Sequence, residues 1–392
     1  MRTKTLTTLL LWAGISLASA VGLSAQSLQE ARALREMGDW AKADSAYGAL
    51  AEQSPLNTAL KEEYASLLLE VGKYQEALDL LLSHSNKKSR VSTSLLAQAY
   101  YANYLFEETL TTLDRLSPKA ETPEVTTLRQ QAQRARQMLD KSERLEIVDS
   151  MQMDLNALPV LPKQYFSTEW GKLRLASDYR SEVGELNAEG WVYETALGLE
   201  SFYARKLEHR GDSDIYSALK LQGRMAEENA LEALNTPNDE CYPILRQDGI
   251  TLIFARKSSE GIGGYDLYLS RRDPETGNYQ TPSLLGMPFN SPQDDLFLIY
   301  DDLRGVGVLA STRFCPPGKV NLYTFPYQRR AHSPPFQYSP REAAGRLPKP
   351  LESNGTKSIA TLILFSLGYG KTYYTLFGAY CQSRRFNISP SS

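Results

Sequence analysis

The sequence predicts a chain of two parts, α-helical repeats followed by an all-β region built as a β-propeller with at least three recognisable blades. Two sets of recurrences carry this expectation. Leu234-Asn-Thr-Pro-Asn-Asp-Glu240 returns as Phe289-Asn-Ser-Pro-Gln-Asp-Asp295, an offset of 55 residues (289 − 234), which also sets Ala255 on Ala310 and Asp266-Leu-Tyr268 on Asn321-Leu-Tyr323. Upstream, three columns recur at intervals of 34 and 32 residues: Ala31, Ala65, Ala97; Leu34, Leu68, Tyr100; and Trp40, Tyr74, Phe106. Short strands repeating at about 40–50 residues are what propeller blades look like in sequence, and a period near 34 is that of stacked helix pairs.

The bulk numbers fit a folded, multidomain protein. The chain has 392 residues, 42% hydrophobic and 23% charged, room for two or three domains. A net charge of −3 supplies no field for nucleic acid. Three histidines, His84, His209 and His332, lie far apart, and no cofactor is expected. Residues 1–26 read as a signal peptide: Arg2 and Lys4, the apolar run Leu9–Leu17, then the small residues Ala18-Ser-Ala20 and Ser24-Ala25. That run is too short to span a bilayer, so no transmembrane helix is expected in the mature chain. Export out of the cytoplasm is expected. Cys241, Cys315 and Cys381 are then an odd set, open to a Cys241–Cys315 disulfide or to buried free thiols.

Residues 27–148 are expected to hold the helical repeats and a capping helix. Gly38-Asp-Trp40 with Ala43 and Tyr47, and Gly72-Lys-Tyr74 with Ala77 and Leu81, resemble the tetratricopeptide repeat. Small Ala lets two helices approach, Gly shapes the turn, and the aromatic fills the gap between repeats. The third copy departs from the pattern, with Thr109 in the place of Ala. The first helix of each repeat would form a concave face carrying Arg32, Arg35, Glu62, Ser66, Gln98 and Tyr101. That face is either a peptide-binding groove or a solvated, mixed-charge surface. Thr122-Pro-Glu124 starts a last helix, with a stripe of Leu128, Ala132, Ala135 and Leu139 that caps the stack.

Residues 149–164, with Pro159 and Pro162, read as a linker. In 165–327 the pattern becomes strand-like: Gly198–Arg205 and Asp214-Ile-Tyr216 align with Thr251–Arg256 and Asp266-Leu-Tyr268. Asp273-Pro-Glu-Thr-Gly277 is hairpin-turn chemistry. Residues 328–392 form a divergent tail. Its apolar stretch Ile359–Tyr380 either adds a hairpin to the propeller or lies outside the fold.

The whole arrangement resembles exported tetratricopeptide-plus-propeller proteins of Bacteroidales-type bacteria, whose blades are similar to TolB and other WD40-like propellers. The likeness rests on Leu145–Ser150, Tyr242-Pro-Ile244, Asp248-Gly249, Ile262–Tyr268 and Leu285–Pro292. It implies cell-envelope proteins of the periplasm or outer membrane, some of them immunoreactive antigens, with no catalytic residues.

Enzyme motifs are absent. There is no Gly-x-Ser-x-Gly elbow and no His-Glu-x-x-His. Gly261-Ile-Gly263-Gly264 lacks a following helix, and Gly368-Tyr-Gly-Lys-Thr372 lacks the first Gly of a P-loop, because position 365 is Phe. Asp239, Asp248, Asp266 and Asp294 could be cation ligands or acid–base groups, but Asp at turns is explained by bonds to local amides. The expected function is a non-enzymatic envelope scaffold that binds proteins or peptides, with glycan or peptidoglycan as a further ligand class. The alternatives are a carbohydrate-active propeller enzyme using carboxylates and a structural part of a secretion or surface-assembly complex.

Overall fold

The computed structural model describes residues 27–84, 90–116, 122–142, 145–160, 171–183 and 188–327. The signal-peptide and tail expectations, with Cys381, lie outside the described residues. Helices come first: α1 (27–36), α2 (Trp40–Gln53), α3 (Thr58–Glu70), α4 (Tyr74–His84), α5 (Arg90–Ala102), α6 (Phe106–Leu113) and α7 (Pro123–Leu139). Side chains cap two of these starts. Asn57 accepts from the Leu60 amide (3.1 Å), and Thr122 from that of Val125 (3.4 Å) ahead of Pro123.

From α2 on, each helix packs on the next, and α3 also packs on α5. The alanine column sits at these crossings, with Ala31, Ala65 and Ala97 all fully buried. The turn glycines Gly38 (φ +74°) and Gly72 (φ +78°) are left-handed. Their next column position, 72 + 32 = 104, is Tyr104, held at φ +62°. Thr109, the misfit of the third copy, is buried and donates its hydroxyl to the Leu105 carbonyl at 2.8 Å.

The expected propeller does not form. Three separate antiparallel sheets follow the helices, ordered β2-β3-β4-β5-β6, β10-β9-β8-β7 and β1-β13-β12-β11, and none closes into a barrel or a ring of blades. The first comprises β2 (Lys172–Leu175), β3 (Glu189–Glu194), β4 (Glu200–Lys206), β5 (Ser213–Leu221) and β6 (Arg224–Ala230). The second comprises β7 (Asp239–Leu245), β8 (Thr251–Lys257), β9 (Tyr265–Arg271) and β10 (Ser283–Leu284). The third comprises β1 (Asp149–Asp154), β11 (Asp295–Asp301), β12 (Val306–Ser311) and β13 (Lys319–Pro326). Propellers carry four or more sheets around a channel; here the described β region is spent on three.

The stretch expected as a linker is also different. Asp149–Asp154 is a strand paired antiparallel with β13 from Asp149↔Thr324 to Asp154↔Lys319, followed by a 3-10 turn at Leu155–Val160. A short helix, α8 (Ala176–Val183), covers the outer face of the first sheet through Tyr179, Val192 and Tyr203. One cluster spans all three sheets, with Phe202 and Ile215, Phe254 and Leu252, and Phe297 and Val308 as members.

What the 55-residue offset encodes is a joint between neighbouring sheets. Asn235 clamps the edge of β5, accepting from the Ile215 amide (2.7 Å) and donating to its carbonyl (3.0 Å). Asn290 does the same to Leu267 of β9 (2.7 and 3.1 Å). Four residues on, Asp239 accepts from the Ser213 amide (3.1 Å) and Asp294 from that of Tyr265 (2.9 Å). Each joint is closed by a buried ion pair, Glu240–Arg256 (2.8 Å) and Asp295–Arg313 (2.7 Å). The arginines also donate to equivalent carbonyls, those of Leu234 (2.6 Å) and Phe289 (2.7 Å).

Candidate functional site

The six residues singled out on the helical face separate into two groups. Arg32 is exposed on α1 and pairs with Glu63 of α3 at 2.7 Å, so Glu63 and not Glu62 is its partner. That hydrogen bond holds the Glu63 carboxyl below its ordinary range. Arg35, half-buried, binds Glu70 and donates to Ser66 at 3.0 Å. Glu62 is half-buried and Gln98 exposed. These five lie on an accessible surface of mixed charge. Exposed ion pairs of this kind add little stability, so they can be exchanged for other partners at small cost.

Tyr101 behaves differently. It is 5% exposed, and its hydroxyl donates to the carbonyl of Ile262, in the loop between β8 and β9. On α7, Gln131 donates to the Gly263 carbonyl (3.1 Å), and Arg134 to those of Gly261 (3.1 Å) and Ser259. The helices therefore hold four main-chain oxygens of one irregular loop. The grip includes apolar packing of Tyr101, Phe106, Ala132 and Ala135 on Ile262 and Met287. Gln131 and Arg134 were missed in the sequence because their helix reads as a cap. The interval was there to see, since 134 − 101 = 33 continues the repeat of Arg35, Leu69 and Tyr101.

The glycines of this loop are needed for close approach. A Cβ on Gly261 would run into the Asp266 carboxylate, one on Gly263 into the carbonyls of Ser291 and Gln293, and one on Gly264 into Asp294. Asp266 accepts from the amides of Ile262 and Gly263, both at 2.9 Å, while its Oδ1 has no partner. Burial pushes its carboxyl up to about 7, against the pull of those two amides. A second contact joins the parts where Tyr74 packs on Phe314 (5.6 Å) and Gly72 lies against the Cys315 backbone.

A cavity of about 290 Å³ opens between the first sheet and β7. Its wall includes Trp191, Tyr193, Phe202 and Tyr242, with Asn156, Ser213 and Cys241 as polar members. Tyr242 sits at φ +54°, where β7 bulges between Cys241 and Ile244. A tyrosine in that region costs on the order of 1–3 kcal/mol, and such strain gathers at binding sites. Its ring meets that of Trp191 at 4.7 Å and 46°. Cys241 and Cys315 are both free, so the disulfide alternative does not occur. Burial raises the two thiols to about 12 and about 11, leaving both neutral and unreactive at neutral pH.

The acids that invited metal or acid–base chemistry accept from amides instead. Asp239, Asp266 and Asp294 bind the N–H groups given above, and Asp248 takes those of Ile250 (2.9 Å) and Thr251 (2.8 Å). Among the described residues, no group of three or more His, Cys, Asp or Glu side chains is placed to hold a metal ion. No described helix is long and apolar enough to cross a membrane.

No family model, curated protein or solved structure matches this chain. The functional reading therefore rests on the geometry of the helical face, the loop it holds and the cavity.

Proposed function

We propose that this chain is a non-enzymatic binding scaffold of the cell envelope, whose helical stack holds polypeptide segments of envelope proteins along the face formed by α1, α3, α5 and α7. The observation that carries this reading is the grip on Ser259–Gly264. There Tyr101, Gln131 and Arg134 supply donors to main-chain carbonyls, which any peptide offers. One end of the face thus already holds a peptide segment, in this case the chain's own. The other end carries Arg32, Arg35, Glu62, Ser66 and Gln98 with no such segment described on it. Its salt-bridged arginines suit an acidic or carbonyl-rich peptide, since guanidinium forks bind carboxylates in two-pronged fashion. The pattern of residues 1–26 supports an envelope location.

The test is the double charge reversal Arg32→Glu, Arg35→Glu in the full chain, with recovery of bound envelope proteins compared with the parent. Loss of a specific partner at unchanged melting temperature is the expected result. Unchanged recovery contradicts the proposal.

A further inference from the structure

We propose that the leucine-tipped end of the first sheet docks on an anionic lipid surface, dipping its hairpin turns into the headgroup layer. The site is separate from the helical face and does not depend on peptide binding there. Strands β4 and β5 are antiparallel neighbours with Glu200 opposite Leu219, so the β3–β4 and β5–β6 turns reach out side by side. Leu197 (83% exposed) and Leu199 (55%) stand on the first, and Leu221 (63%) and Leu219 (40%) lead into the second. The Lys220 amide donates to the Leu199 carbonyl at 2.8 Å and ties the two turns together. Arg272 bonds both Glu200 (2.8 Å) and the Gly249 carbonyl (2.9 Å), which sets this end beside the β7–β8 turn. The whole of β8 then separates it from the Ser259–Gly264 loop that the helical stack holds. The leucines therefore lie at the far end of the sheets from the stack.

Depth and charge select lipid as the occupant. Leu219 is flanked across the sheet by Glu200 and Glu227, so the apolar zone reaches only two residues beyond it on β5, about 7 Å of strand. Interfacial segments bury to about 5–10 Å, at the boundary of headgroups and acyl chains. Lys172, at the start of β2, and Arg224, opposite Leu221, are exposed and have no partner among the described residues. The carboxylates nearest the turns are engaged, Glu194 with Lys220 (3.1 Å) and Glu200 with Arg272. Unpaired cations beside exposed leucines match lipid phosphates lying above acyl chains. A second copy fits poorly, because a two-fold contact sets each patch against itself and would bring these cations together. A protein partner fits poorly too. The leucines stand out on turns, and leucine is under-represented among the anchors of protein interfaces, which favour Trp, Tyr and Arg.

Flotation of the full chain with vesicles of phosphatidylcholine alone, and of phosphatidylcholine with about one-third phosphatidylglycerol, tests this. The anionic vesicles should bind at least about tenfold more tightly than the neutral ones, as two cations near the surface supply. Leu197→Gln with Leu221→Gln should weaken binding to the anionic vesicles at least about tenfold. Lys172→Gln with Arg224→Gln should remove the preference for them. All four positions are exposed, so melting temperatures should stay at the parent value. Leu56→Gln, at a 94% exposed site between α2 and α3, is the control and should bind like the parent. Binding to neither vesicle, which would leave the leucines to a protein partner, overturns the proposal. So does equal binding to both vesicles, binding unaffected by the leucine pair, an equal loss with Leu56→Gln, or dimers formed through the leucines in place of vesicle binding.

Discussion

Asp266 shows how a single side chain ties the two parts of the chain together. It caps the loop gripped by Tyr101, Gln131 and Arg134, and burial raises its carboxyl from an ordinary 3.8 to about 7. The folded protein therefore keeps a proton that the unfolded chain gives up between about pH 4 and pH 7. Stability from this group falls as pH rises through that window and levels off above it, a total on the order of 4 kcal/mol. Asp266→Asn keeps an oxygen for the two amides and removes the titration. The drop in melting temperature from pH 4.5 to pH 7.5 should be smaller in the variant; an unaltered slope would show that Asp266 is ionised throughout. Tyr104 adds a complementary lesson. It stands where the repeat calls for glycine, at φ +62°, and reaches Gln293 across the junction at 3.5 Å. The sequence shows this departure from its own pattern, but not the β loop on the other side that makes sense of it.

At the scale of elements, the repeat was legible and its meaning was not. Leu234–Glu240 and Phe289–Asp295 match because each builds the same joint, an Asn on a strand edge, an Asp on the amide two residues before, and a buried ion pair. A single sequence reports that two segments match; it does not report how many sheets they join or whether the array closes. Strand β1 was hidden for a different reason. Asp-Ser-Met-Gln-Met-Asp lacks the β-branched and aromatic residues that mark strands, and it gains its conformation from pairing with β13. The joints themselves are testable. Asn290 is 1% exposed and its side chain makes a third bond, to the Leu285 carbonyl at 2.5 Å, whereas the half-buried Asn235 side chain makes its two bonds to Ile215. Asn290→Ala should cost roughly 2–4 kcal/mol and Asn235→Ala roughly 1–2 kcal/mol in urea unfolding. Equal losses would mean that the two joints do not differ in burial as described.

For the whole molecule, the sequence pointed to helices before sheets, and that order is present. It could not tell which part of the helical face the chain would cover itself. Tyr101 is separated from Ile262 by 161 residues, a distance over which no periodicity speaks. Trp191 and Tyr242 lie on strands of different sheets, so the cavity they line was invisible as well. The central claim is that the end of the face from Arg32 to Gln98, which no described segment covers, holds a polypeptide from outside. Photo-crosslinkers placed one at a time at Gln98 and at Asp79, which is exposed on α4, test it most directly in the native envelope. The account predicts a defined protein adduct from Gln98, lost with Arg32→Glu, Arg35→Glu, and none from Asp79. Equal labelling from both positions, or from neither, would contradict it.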